Sequence, residues 1–234
     1  MDRVTTVLFD FGGTLVEPLP PIEDMWREVA GRVNLGANFA TILSAVRGAD
    51  ARFAGRLYDF HGRMSEYWRL YDGFVLDRLG RADPHGRIAM AIEQVFKEIL
   101  LSNPFPETRD VLTTLSSTGY RLGIVSNATD DLRPRLNALG LAPFFDTVTY
   151  SQEARAEKPS PAIFQLAMRR LGCSPSEAVH VGDRPEADVA GARASGIAPI
   201  LVDRRGTFIM ENCLRVRDLR EVPPLLERMS PNLL

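Results

Sequence analysis

The sequence predicts an α/β protein: a doubly wound parallel sheet of Rossmann-like build, with an α-helical cap inserted after its first strand. Two observations point there. From about residue 104 onward, short apolar runs alternate with amphipathic helical stretches. Repeated βα units of that length form a parallel sheet covered on both faces, joined by right-handed crossovers. Between residue 16 and about residue 100 the periodicity is helical throughout, with no convincing strand. The expected division is therefore a core of residues 1–15 and 104–234 and a helical cap of residues 16–103.

Each element has its own signal. Val4 to Phe9 is a β-branched and apolar run, read as a buried strand that stops at Asp10. Pro18, Pro20 and Pro21 stiffen the link that follows, and Ile22, Met25, Trp26 and Val29 then repeat at helical spacing. Further helical material runs through LSAVRGADARFAGRLYDF, EYWRLYDGFVLDRLG and IAMAIEQVFKEIL. After LSNPFPE come a helix over Thr108–Ser117, a turn at Gly119 and a strand from Arg121 to Val125. DDLRPRLNALG reads as a helix ended by Gly140, and FFDTVTY as a short strand. PAIFQLAMRRLG is a helix stopped by Gly172. AVHVGD, EADVAGARASG and APILVD read as strand, helix and strand, with CLRV a marginal strand and PPLLERM a terminal helix.

Charge and cysteine usage narrow the function classes. The 28 basic and 30 acidic residues leave a net charge of −2, which supplies no field to hold nucleic acid or an anionic membrane. Cys173 and Cys213 are far apart and belong to no CxxC pair, so idle thiols are expected. No secretory leader and no long apolar span is legible, and the expectation is a cytoplasmic monomer or homodimer.

In an open parallel sheet, ligands bind in the crevice at the carboxyl ends of the strands. Those ends carry Asp10, Ser126-Asn127 and Gly182-Asp183, with Lys158 shortly before a helix. Polar stops on three apolar strands, plus a lysine, suit convergence on one small anionic group.

The ordered set DFGGTL at 10–15, SN at 126–127, KP at 158–159 and GDRPEAD at 182–188 resembles the haloacid dehalogenase-like hydrolase superfamily, in the branch with a helical cap after the first strand. The resemblance runs from residue 4 to about residue 205. It implies Asp10 as a nucleophile, since a carboxylate can attack phosphorus and form an acyl phosphate that water hydrolyses. It implies Thr14 and Ser126 as phosphate-binding hydroxyls, Asn127 as their companion, and an anion nest of backbone N–H groups from Phe11 to Gly13. Lys158 would bind phosphate and offset charge. Asp10, the Gly12 carbonyl and Asp183 would hold Mg²⁺, a hard ion suited to oxygen ligands, with Asp188 holding a bound water or supporting Lys158. His180, inside its strand, reads as a packed side chain.

The chain departs from the superfamily pattern at Gly12, where its phosphatases carry a second acid that protonates the leaving oxygen and later activates water. Glycine keeps the carbonyl and loses the proton transfer. The expectation is a Mg²⁺-dependent phosphatase of a small phosphorylated metabolite with weakened acid–base catalysis. Its alternatives are a 2-haloacid dehalogenase-like enzyme, whose halide leaves without a proton, and a non-catalytic phosphometabolite-binding or scaffold protein. Glu23, His61, Glu66 and Tyr67 in the cap are candidate substitute proton donors, and each is equally at home on a helix surface.

Overall fold

The computed structural model describes residues 3–18, 20–54, 56–60, 63–99, 103–208 and 213–229. The chain divides into two compact units: Met1–Pro18 with Asn103–Leu234, and Leu19–Ser102.

The first unit opens with β1 (Thr6–Phe9), fully buried because neighbours cover both its faces. The second unit follows as four helices, α1 (Ile22–Arg32), α2 (Phe39–Phe53), α3 (Met64–Arg78) and α4 (Arg87–Ile99), with no strand among its described residues. Asn38 caps α2 by accepting from the Thr41 N–H at 3.0 Å, filling one of the donors a helix start leaves open. Ile42, Ala45, Val46, Ala49 and Phe53 then form one buried stripe at helical spacing. On α1, Trp26 and Val29 are buried whereas Ile22, expected on the same stripe, is 47% exposed. Trp26 meets Phe96 of α4 edge to face at 5.3 Å, and Phe53 packs against Tyr67 and Tyr71 of α3. Burying a side chain of this size stabilises by roughly 1.5–3 kcal/mol. Of the candidate proton donors, His61 lies outside the described residues, while Tyr67 is buried in this helical core.

The first unit resumes with α5 (Thr108–Ser117), β2 (Arg121–Ser126), α6 (Arg133–Ala138), β3 (Thr147–Tyr150), the short α7 (Ser151–Ala154), α8 (Pro161–Leu171) and β4 (Ala178–Gly182). A π-helical turn (Pro185–Val189) leads into α9 (Ala190–Ala194), and β5 (Ala198–Val202), β6 (Leu214–Val216) and α10 (Val222–Met229) complete it. All strand pairs are parallel, in the order β3-β2-β1-β4-β5-β6. The marginal strand expected at CLRV is β6.

Alternation along the strands separates the two faces of the sheet. Val7, Phe9, Val179 and Val181 pack with Leu112 and Leu115 of α5 and Leu226 of α10. Leu8 packs on the opposite side with Phe164, Ala167 and Leu171 of α8 and Ala192 of α9. β2 and β3 lie on one side of β1, and β4, β5 and β6 on the other. The strand order therefore reverses between β1 and β4, the switch point at which such sheets leave a crevice.

Candidate active site

Asp10 and Asp183 follow the last residues of β1 and β4, the two strands that flank the switch point. The Asp10 N–H donates to the Val181 carbonyl at 2.9 Å, which fixes the start of the turn. The turn then closes on itself: the Leu15 and Val16 N–H groups donate to the Phe11 carbonyl, and the Gly13 N–H donates to the Val16 carbonyl at 2.8 Å. That last bond corrects the expected anion nest, because it occupies the Gly13 donor. Phe11 and Gly12 keep N–H groups with no backbone acceptor among the described residues.

The two glycines of the turn differ. Gly13 has φ +84°, and a Cβ there would lie 2.3 Å from Asp183 Oδ2, so the turn needs glycine for conformation and for space. Gly12 has no such backbone angle, and a Cβ there would meet nothing within 4 Å.

Lys158 Nζ stands 2.6 Å from both Asp10 Oδ1 and Asp188 Oδ1, with all three side chains buried. Asn127, next after β2, holds the Lys158 backbone from both sides: its Oδ1 accepts the Lys158 N–H at 2.8 Å, and its Nδ2 donates to the Lys158 carbonyl at 3.1 Å. Ser126 closes β2 and is buried, and the Thr14 hydroxyl donates to Asp10 Oδ2 at 3.4 Å.

Asp188 sits in the π-helical turn, and its carboxylate is fully engaged. Oδ1 accepts from Lys158 and from His180 Nε2 at 2.9 Å, and Oδ2 accepts the Arg184 N–H at 2.9 Å. Gly182 makes room for it, since a Cβ there would lie 2.3 Å from Asp188 Cγ. Asp183 is the contrast: its Oδ1 is buried with no hydrogen-bond partner among the described residues.

Electrostatics follows from this crowding. Burial raises the Asp10 carboxyl above its ordinary range, and Lys158 offsets only part of that. Burial, then the charges of Asp10 and Asp188, push Asp183 up to about 6. Burial would also raise Asp188, but the hydrogen bond from His180 and the charge of Lys158 outweigh it and hold Asp188 well below the usual range. Burial alone would lower Lys158; its two carboxylate partners raise it instead. Three carboxylates face one ammonium, an arrangement that calls for further positive charge.

Carboxylate oxygens of Asp10, Asp183 and Asp188 lie within 4.8 Å of one another. An all-oxygen donor set with an unpartnered buried oxygen fits Mg²⁺. Two residues close to the site gave little sign of themselves in the sequence. His180 is one. The other is Arg204, which donates to the Thr14 carbonyl at 3.0 Å, pairs with Glu107 at 2.6 Å and stacks on Phe105.

The chain is similar to several proteins of known description. A glyceraldehyde 3-phosphate phosphatase of Methanopyrus kandleri is 33% identical over 208 residues, 88% of this chain and 86% of that protein. A ribulose-1,5-bisphosphate 5-phosphatase of Halopiger xanaduensis is 32% identical, over 85% of this chain and 84% of its own. A glyceraldehyde 3-phosphate phosphatase of Methanothermobacter thermautotrophicus is 44% identical over 54% of this chain, a match spanning 59% of that relative's length. Among solved structures, a 2-haloacid dehalogenase from Pseudomonas syringae pv. Tomato DC3000 superposes with a TM-score of 0.76 at 26% identity, covering 97% of this chain and all of that one. The family model for haloacid dehalogenase-like hydrolases matches residues 4–196. With Asp10, Lys158, Asp183 and Asp188 gathered at the switch point of its sheet, this chain belongs to the haloacid dehalogenase-like hydrolase family.

Proposed function

We propose that the protein is a Mg²⁺-dependent phosphatase that hydrolyses a small phosphorylated metabolite through an aspartyl-phosphate on Asp10. The observation that carries this reading is the buried Asp183 oxygen, which lacks a partner although it belongs to a three-carboxylate cluster. A dehalogenation needs no such surplus of acid. The phosphatase relatives support a phosphorylated carbohydrate as the kind of substrate.

Asp10, Asp183 and the Gly12 carbonyl would hold the ion, which when bound offsets negative charge on the phosphoryl oxygens. The chain's own groups do the rest. An Asp10 oxygen bonds to phosphorus as the ester P–O bond breaks, and the departing oxygen keeps the electron pair. Thr14, Ser126 and Lys158 hold the phosphoryl oxygens, with Lys158 kept in place by Asn127 and Asp188. Water then adds to phosphorus, the bond to Asp10 breaks and inorganic phosphate leaves. Gly12 supplies no proton to the first step and accepts none in the second. Substrates with leaving groups that need little protonation, such as sugar 1-phosphates and acyl phosphates, suit this site best.

The close superposition on a dehalogenase and the absence of an acid at residue 12 favour 2-haloacid hydrolysis as a second reading. A screen of phosphorylated metabolites and 2-haloacids, with and without Mg²⁺ and with Asp10→Asn as the blank, separates the two. Phosphate release that needs Mg²⁺ and Asp10 supports the phosphatase. Halide release without metal replaces it, and silence on every compound moves the site to a binding role.

A further inference from the structure

We propose that His180 is a positioning residue for Lys158: its Nε2–H donates to Asp188 Oδ1, and through that carboxylate it sets where the ammonium stands beside Asp10. This rests on the phosphatase reading of the site for its consequence, and on geometry alone for its arrangement.

His180 lies in β4 and is fully buried, with its ring edge-on to Phe164 at 5.0 Å, so the imidazole is fixed by packing. Its Nε2 is 2.9 Å from Asp188 Oδ1, and its Nδ1 is buried with no partner among the described residues. An ionised carboxylate only accepts hydrogen bonds, so the proton belongs on Nε2. The opposite tautomer would leave a buried N–H unmet and aim a lone pair at the carboxylate, two penalties at once. A packed ring with a committed proton is a rigid donor.

The bond matters because of what shares its acceptor. Asp188 Oδ1 also takes the Lys158 ammonium at 2.6 Å, while Oδ2 is held by the Arg184 N–H at 2.9 Å. The carboxylate is thereby pinned from the strand on one oxygen and from the following turn on the other. Among the described residues Lys158 has one other carboxylate partner, Asp10, also at 2.6 Å. Without His180, Asp188 Oδ1 loses its strand-side anchor, the carboxylate can turn about its remaining Arg184 bond, and Lys158 is no longer held at one place beside Asp10.

The test uses the full chain with ¹⁵N-labelled histidine and lysine, together with His180→Leu and His180→Gln. Leu removes the donor while remaining apolar; Gln restores an N–H at similar reach. The wild-type imidazole should show the Nε2–H tautomer, and three histidines make assignment simple. In the Leu variant the Lys158 ammonium should shift and exchange faster, with Gln returning it toward wild type. With p-nitrophenyl phosphate and Mg²⁺, Leu should lower kcat about 10–100-fold while KM changes less than about threefold, and Gln should recover most of the loss. An Nδ1–H tautomer, an unchanged Lys158 signal in folded His180→Leu, or a Gln variant no better than Leu would overturn the proposal. If the wild type releases no phosphate, the phosphatase reading fails, and the two resonance measurements still decide the arrangement.

Discussion

Gly13 is pressed against Asp183 so closely that a Cβ would lie 2.3 Å from Asp183 Oδ2. Its neighbour Gly12 faces open space. The two therefore answer substitution differently. Gly13→Ala should cost about 1–3 kcal/mol in backbone strain alone, measured by denaturant unfolding, and displace Asp183. Gly12→Asp meets no steric cost, and with Mg²⁺ present to offset the added charge it should change stability by less than about 0.5 kcal/mol.

Because the turn has room for it, Gly12→Asp should also restore proton transfer. The gain should be larger on alkyl phosphates than on p-nitrophenyl phosphate, whose leaving group needs little help, and should approach the roughly 10²–10⁴-fold typical of general acid–base catalysis. Steady-state kinetics on both substrates checks this. Equal gains on both would show that the new side chain acts some other way.

Asp183→Ala should abolish most Mg²⁺ binding in calorimetry, because it removes the carboxylate whose buried oxygen lacks a partner. In chelator the same variant should melt no lower than wild type, since one of three crowded acids has gone. Mg²⁺ should raise the wild-type melting temperature and leave that of the variant unmoved.

Asn127→Leu should lower kcat about 10–100-fold, the usual range for a group that orients a site residue. Its amide is bonded to both the N–H and the carbonyl of Lys158, so Asn127→Asp, which keeps the acceptor and loses the donor, should be slow as well. Both effects are read from p-nitrophenyl phosphate kinetics.

Asp72, buried on α3 of the helical unit, offers a separate pH test. Burial, and after it the Glu93 carboxylate, push its carboxyl up to about 7. An unfolded aspartate ionises near about 3.9, so between these values the folded chain carries a proton that the unfolded chain lacks. This contribution to stability is complete below about pH 4, declines as pH rises, and is lost above the folded value. Asp72→Asn should flatten that slope and stabilise the protein at pH 8 by about 1–3 kcal/mol. Denaturant titrations of both proteins across the range check the difference; parallel curves would exclude it.

Much of this fold was legible because it rests on local signals. The apolar runs ending at Phe9 and Gly182 and the glycine stops at Gly140 and Gly172 are visible in the chain itself. What stayed hidden depends on partners distant in sequence. EADVAGARASG reads as one helix, yet its start is wound as a π-helical turn, where Asp188 meets Lys158 and His180. His180 looks like one more strand residue until the pleat turns it toward Phe164 and Asp188. Gly12 and Gly13 are the same letter, and only the backbone angle and the nearness of Asp183 tell them apart. Asn127 looks like one more polar strand end, and only the fold shows its amide bonded to the backbone of Lys158.

Mass spectrometry of acid-quenched enzyme shows whether Asp10 carries the phosphoryl group during turnover. Weak proton transfer at Gly12 should slow breakdown of the acyl phosphate, so the intermediate should accumulate during turnover of acetyl phosphate with Mg²⁺. The expected result is one added phosphoryl group on the peptide containing Asp10, absent in Asp10→Asn and in chelator. Phosphate release that continues in Asp10→Asn with no adduct on the wild type, or no release at all, would rule out Asp10 as the phosphoryl acceptor of a phosphatase.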